Sequence, residues 1–334
     1  MKHSEEKLEY RGPGGADITA EVVHRHPDPD PGHLPAGVDA EIVRVHVDGD
    51  LIDLHRLTVV SEKHADPAVR AQAYAQLDAE LLAGIRLLRR GHPVPGPRSL
   101  SRLVGRERPD SLPFVLLAAR RGVPVAEAAG NLLREEESHF TAALLGAYRW
   151  MTAAGLSHRA LTAHSVRWDS TTRTVQMEHF FASGLIDTPR PRPAGLISLP
   201  PNVNPDAPAG WILDRDDARA VAELLFLALT GRRASNPELA RRPDLDQALE
   251  NAFHPDPRQR PTPRDLLERF RVPEPLGPPP NNDMGEGMAD FERERLRKHP
   301  AAVGAAAAEP HRASPSGGRG FFRRRGRLEH DRSQ

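Results

Sequence analysis

Three groups of side chains in this chain have the types and spacing to do chemistry. Near the start, His24, His26 and His33 stand with Asp28 and Asp30, a set able to ligate a metal. In the middle, His158, His164, Glu178 and His179 offer proton carriers and a carboxylate, and Glu80 lies upstream in Leu77-Asp78-Ala79-Glu80-Leu81-Leu82. Near the end, Gly318-Arg319-Gly320-Phe321-Phe322-Arg323-Arg324-Arg325-Gly326-Arg327 combines cations with aromatic rings, as a surface for an anionic partner does. Lysine chemistry has little to draw on, because the 46 basic residues include only Lys2, Lys7, Lys63 and Lys298, the rest being arginine. The absence of cysteine excludes disulfides, thiolate metal sites and thiol nucleophiles. A metal is not expected in the first group, since His26-Pro27-Asp28-Pro29-Asp30-Pro31 opposes a preformed geometry. His164 and His179 are read as filling space rather than binding metal.

These residues need elements to hold them, and the 334-residue chain reads as four pieces. Residues 1–37, rich in Gly, Pro and Asp, are expected to be irregular, with Gly12-Pro13-Gly14-Gly15 read as a flexible linker or a remnant phosphate loop. Residues 38–118 follow, in which Ile42 to Val60 reads as two strands around Asp48-Gly49, Pro67 to Arg90 as an amphipathic helix, and Pro113 to Ala118 as a strand. Residues 119–271 are mainly helical, with Phe140 to Met151 forming an apolar stripe ended by Gly155. A small hairpin follows at Ser165–Trp168 and Thr174–Met177, then helices near Asp217–Leu229, Pro237–Ala252 and Pro263–Phe270. Residues 272–334 read as disordered linker and basic tail. Hydrophobic residues at 38%, against the usual ~45–50%, agree with a chain that packs only in part. Charge is balanced at 46 against 46, yet the tail from His311 is basic and the body mildly acidic. The absence of a long apolar run points to a cytoplasmic protein without a transmembrane segment. The preference for Arg over Lys suggests a GC-rich genome.

In its second half the chain resembles a protein kinase of the bacterial Ser/Thr type. Gly155-Leu156-Ser157-His158-Arg159-Ala160-Leu161-Thr162-Ala163-His164-Ser165 is similar to the catalytic loop H-R-D-L-x-x-x-N. Glu178-His179-Phe180-Phe181 falls at the D-F-G place, and Asn204-Pro205-Asp206 at A-P-E. Asp217 to Arg232 is similar to the central helix of the family's second lobe, and Asp256-Pro257-Arg258-Gln259-Arg260-Pro261 to a late D-P-x-x-R-P motif. The resemblance implies an α+β, bilobal fold: a small β-rich lobe over 38–118, a helical lobe over 119–271, and disordered termini.

The departures from the family pattern fall on its chemistry. Ala160 replaces the proton-accepting Asp, Ser165 the metal-binding Asn, and His179 the metal-binding Asp, so magnesium is not expected. Lys63 and Glu80 stand where a phosphate-gripping pair would be, although Ser61-Glu62-Lys63-His64 also reads as an exposed strand exit. Glu178 would reach the metal position only by a one-residue shift that strand alternation opposes. The scaffold positions survive in His158, Arg159, an Asp217 that would anchor the loop backbone, and an Arg260 to pair with Asp206. The implied function is a pseudokinase, regulatory or scaffolding, with ATP or ADP as its only cofactor reading. Its partner would be a kinase, phosphatase or effector. Two alternatives stand beside it: an atypical Ser/Thr kinase using Lys63, Glu80 and Glu178, and an adaptor working through Arg323–Arg327. Thr188, before a proline-stiffened loop, would place a phosphate near Arg159 if phosphorylated.

Overall fold

The first strands arise from strict alternation in a polar stretch. In β1 (Lys7–Arg11), Leu8 and Tyr10 point inward while Lys7 and Glu9 face solvent. The chain then reverses at Gly12-Pro13-Gly14-Gly15, where Gly12 N donates to Ala16 O at 2.8 Å and Gly15 takes φ +86°. β2 (Asp17–Pro27) returns antiparallel, from Arg11↔Asp17 to Lys7↔Glu21. This segment was expected to be irregular. Its glycines instead make one tight turn, and its alternate polar residues are the solvent face of two strands. The computed structural model describes residues 6–29, 34–60, 66–89, 99–109, 111–189, 210–235, 238–239 and 241–276.

β3 (Val38–Val47) and β4 (Asp50–Val59) meet at Asp48 and Gly49, whose φ values of 52° and 89° are those a two-residue hairpin requires. β4 pairs with β6 (Phe114–Ala118), and β6 with β5 (Leu103–Arg106). Arg106 of β5 then pairs with Arg11 of β1, so the order β1-β2-β3-β4-β6-β5 closes into an antiparallel barrel. Closure depends on Gly105, where a Cβ would lie 2.3 Å from Tyr10 Cδ2 and 3.0 Å from Arg11 O. Leu8, Tyr10, Val43, Val45, Leu54 and Leu116 form the barrel's core cluster. Helix α1 (Pro67–Arg89) packs on β4, β5 and β6.

The remaining elements are short strands among helices. Helices among the described residues include α2 (Val125–Ala128), α3 (Arg134–Ala153), α4 (Ala218–Thr230), α5 (Pro243–Ala248) and α6 (Pro263–Arg269). Strand β7 (Val123–Pro124) joins β9 (Val166–Asp169) and β10 (Thr174–Met177) in a sheet of order β10-β9-β7. β8 (Leu156–Ser157) pairs with β11 (Gly184–Leu185), just after a 3-10 turn at Phe180–Ala182.

The closed barrel overturns the expected bilobal kinase-like fold with a helical second lobe. The strands from the first 27 residues turn the expected small β-rich lobe over 38–118 into a six-stranded barrel that begins at Lys7. The rest is a mixed layer in which β9 and β10 share the core with α3 and α4. That core also takes in Ala83 and Leu100 from the first half, beside Phe140, Met177 and Phe226. Apolar burial therefore does not separate a β lobe from a helical one. By contact the chain divides into units Met1–Gly287 and Met288–Gln334, and every described residue lies in the first.

Candidate functional site

Asp217, at the N-cap of α4, organises the loop that follows β8. Its Oδ2 accepts from Ser157 Oγ at 2.8 Å and from the His158 backbone N at 2.7 Å, and its Oδ1 accepts from Arg159 N at 2.7 Å. Burying a carboxylate is costly unless its oxygens are satisfied, and these three donors satisfy them. They also hold Arg159 in the left-handed region at φ 64°. His158 is fully buried; its Nε2 donates to the Glu178 carbonyl at 2.8 Å while its Nδ1 accepts from Ala160 N at 3.3 Å. This arrangement defines a neutral tautomer, and burial pushes the His158 pKa down. Ala160 presents only a methyl group. Ser165 Oγ accepts from Thr162 N at 2.9 Å, and its backbone carbonyl accepts from Glu178 N at 2.9 Å, so Ser165 closes a turn.

A charged cluster lies next to this loop, where the end of β2, the middle of β4, the residues after β6 and the end of β10 converge. Arg120 is its centre. Its Nη1 lies 2.8 Å from the Asp28 carboxylate, its Nε 3.1 Å from Glu178 Oε2, and its Nη2 donates to His179 Nε2 at 2.6 Å. Asp28 also accepts from His55 Nε2 at 3.1 Å, and Arg167 Nε stands 4.0 Å from Glu178 Oε1. Nearby, the side chain of Gln176 accepts from Arg121 N at 2.9 Å. The side chains of Asp28, His55, Arg120 and Glu178 are all at least nine-tenths buried.

Because the arginine donates, His179 Nε2 must be an acceptor and its Nδ1 must carry the proton. The ring is therefore neutral and stacks on Phe181 at 5.4 Å. Burial, then the positive charge of Arg120, holds its pKa well below the ordinary histidine value. Burial likewise lowers His55, against the opposing pull of Asp28. His179 sits at φ 64°, a left-handed residue that turns the chain from β10 into the Phe180–Ala182 turn. On α1, Glu80 is pushed up to about 8, first by burial and further by Glu178, against the Phe180 backbone N–H and Arg120.

The structure thus brings His158, Arg159, Ala160, Ser165, Glu178, His179 and Asp217 into one region, with Glu80 within electrostatic reach of Glu178 and Arg120. Lys63 and Asp206 lie outside the described residues, as do Arg323–Arg327 and the rest of the tail. Arg260 donates to the carbonyls of His254, Pro255 and Asp216. Thr188 turns its hydroxyl to Leu185 O at 2.6 Å. Of the early histidine-aspartate set, Asp28 points inward to Arg120 and His55, while His33 and Asp30 are outside the described residues. Among the described residues no group of three His, Asp or Glu side chains could hold a metal ion.

Sequence reasoning missed Arg120 and His55, the two residues that tie Asp28 into this cluster. Arg120 falls in no motif of the sequence. His55 carries one usable signal, since strand alternation puts it on the face opposite Leu54, away from the barrel core. No helix among the described residues is long and apolar enough to cross a membrane. No family model matches the chain, and no curated protein matches it.

Proposed function

We propose that this protein is a catalytically impaired relative of the Ser/Thr protein kinases in its loop chemistry, acting in the cytoplasm as a regulatory or scaffolding protein on a partner protein. The observation that carries this reading is the state of Glu178. Its carboxylate is buried in an ion pair with Arg120 instead of standing open to a metal. Ala160 supplies no proton acceptor, and losing a positioned base typically forfeits about 10²–10⁴ in rate. His179, neutral and bonded to Arg120, is a poor ligand for a hard cation. The loop's anchoring by Asp217 supports a retained scaffold. The partner is a kinase, phosphatase or effector that reads this scaffold.

Thermal unfolding with ATP or ADP, with and without magnesium, tests the reading. A nucleotide at 100 times its dissociation constant adds about 2.7 kcal/mol of stability. The expected result is no magnesium-dependent shift and no phosphate transfer to a general protein substrate. A magnesium-dependent shift that is lost on Glu178→Gln, together with phosphate transfer, would refute it and favour an atypical kinase.

A further inference from the structure

Glu80 stands on the face of α1 that packs against the Phe180–Ala182 turn, and it is 1% exposed. Its carboxyl group takes the backbone N–H of Phe180, yet Oε2 has no hydrogen-bond partner. Of the charged groups that face it, Glu178 repels a negative charge and Arg120 attracts one. Arg120 is already divided between Asp28, Glu178 and His179. Other titratable or charged side chains on the elements packed together here are Asp78 on α1, His179 at the turn, His55 and Arg56 on β4, and Arg106 on β5. His55 is taken by Asp28 and Arg56 by Glu41. A neutral carboxyl group suits this place better than an ionised one, since its charge is gone. An ionised one has a repelling neighbour, an unmade hydrogen bond and a cation shared with three other groups, which the Phe180 N–H offsets only in part.

We propose that Glu80 is a proton-controlled latch: neutral, it holds α1 on the Phe180–Ala182 turn, and ionised, it releases that contact so that its carboxylate reaches water. The contact it governs matters to the charged cluster. The turn begins at His179, whose left-handed backbone and bond to Arg120 join it to Asp28 and the end of β2. Release of α1 therefore loosens the segment that presents His179 and Phe181.

Hydrogen exchange of the full chain, followed by mass spectrometry on a peptide spanning the turn and corrected for the intrinsic pH dependence of exchange, measures the opening. If the closed state holds the proton up to about pH 8 and the open state releases it at the ordinary value, opening grows as pH rises to 8 and then levels. The growth is about tenfold per pH unit. Glu80→Gln should abolish the slope and keep the turn protected throughout. A flat wild-type profile, or a slope that persists in Glu80→Gln, would overturn the latch. Carbon-13 NMR of the Glu80 carboxyl in the wild-type chain is the second test, free of any folding defect in the variant. Titration at the ordinary glutamate value overturns it equally.

Discussion

Replacing Asp217 removes the anchor of the loop, and the cost follows from its three donors. Asp217→Ala leaves Ser157 Oγ, His158 N and Arg159 N without their acceptor, and Ser157, His158 and Asp217 are all buried. Hydrogen bonds to a charged group contribute about 1.5–3 kcal/mol each, and three that share one carboxylate are not additive. Relaxation of Arg159 from its left-handed backbone returns about 1 kcal/mol. The expected loss is therefore about 4–6 kcal/mol, a large share of the ~5–15 kcal/mol that a domain has. Asp217→Asn separates geometry from charge. Its single amide oxygen can serve the Ser157 and His158 donors, while its amide nitrogen would face Arg159 N, a donor against a donor. That variant should lose about 2–3 kcal/mol, roughly the penalty of one unsatisfied buried group with weakened neighbours. Urea unfolding followed by far-ultraviolet circular dichroism gives both numbers from the midpoint and slope. A loss below about 1 kcal/mol in Asp217→Ala, or equal losses in the two variants, would show that the three contacts do not hold the loop.

Two further outcomes follow from the charged cluster. Arg120→Met strands Asp28 and Glu178 as buried carboxylates and should cost about 3–5 kcal/mol, part of which Asp28→Asn restores in the double variant; a double-mutant cycle by urea unfolding measures the coupling. Stability should also peak near pH 6.5. Above that, Glu80 keeps a proton that the unfolded chain has lost, so stability falls by about 1.4 kcal/mol per pH unit until about pH 8 and then levels. Below it, His55, His158 and His179, all with lowered values, leave the unfolded chain holding more protons, so stability falls with acid. Denaturant midpoints across pH 5–9 check the shape, and a profile that keeps rising to pH 9 would contradict the placement of Glu80.

Local patterns made several elements legible. Asp48-Gly49 between two runs of β-branched residues marks a hairpin, and the spacing of Leu77, Leu81 and Leu88 marks α1. Phe140, Leu144, Tyr148 and Met151 mark the buried side of α3 in the same way. β1 and β2 escaped because their polar half is genuinely polar: Lys7, Glu9 and Glu21 face water and Arg25 pairs with Glu6 and Glu41, which gives the low average hydrophobicity that a linker would also show. Barrel closure was not legible at all, since it rests on Gly105 meeting Tyr10 and Arg11, residues far apart in the chain.

The amino-acid sequence by itself determined the chemical vocabulary: no thiol, almost no lysine, and an alanine after His158-Arg159 that brings no proton carrier to that turn of the chain. Those are properties of residue type and short spacing. Only the tertiary structure decided that Asp28, His55, Arg120 and Glu178 form one buried ion-paired cluster and that burial raises the Glu80 carboxyl. The charge state of a carboxyl group depends on how much water reaches it and which cations lie within a few ångströms. Those neighbours come from four separate stretches of the chain, and folding alone brings them together.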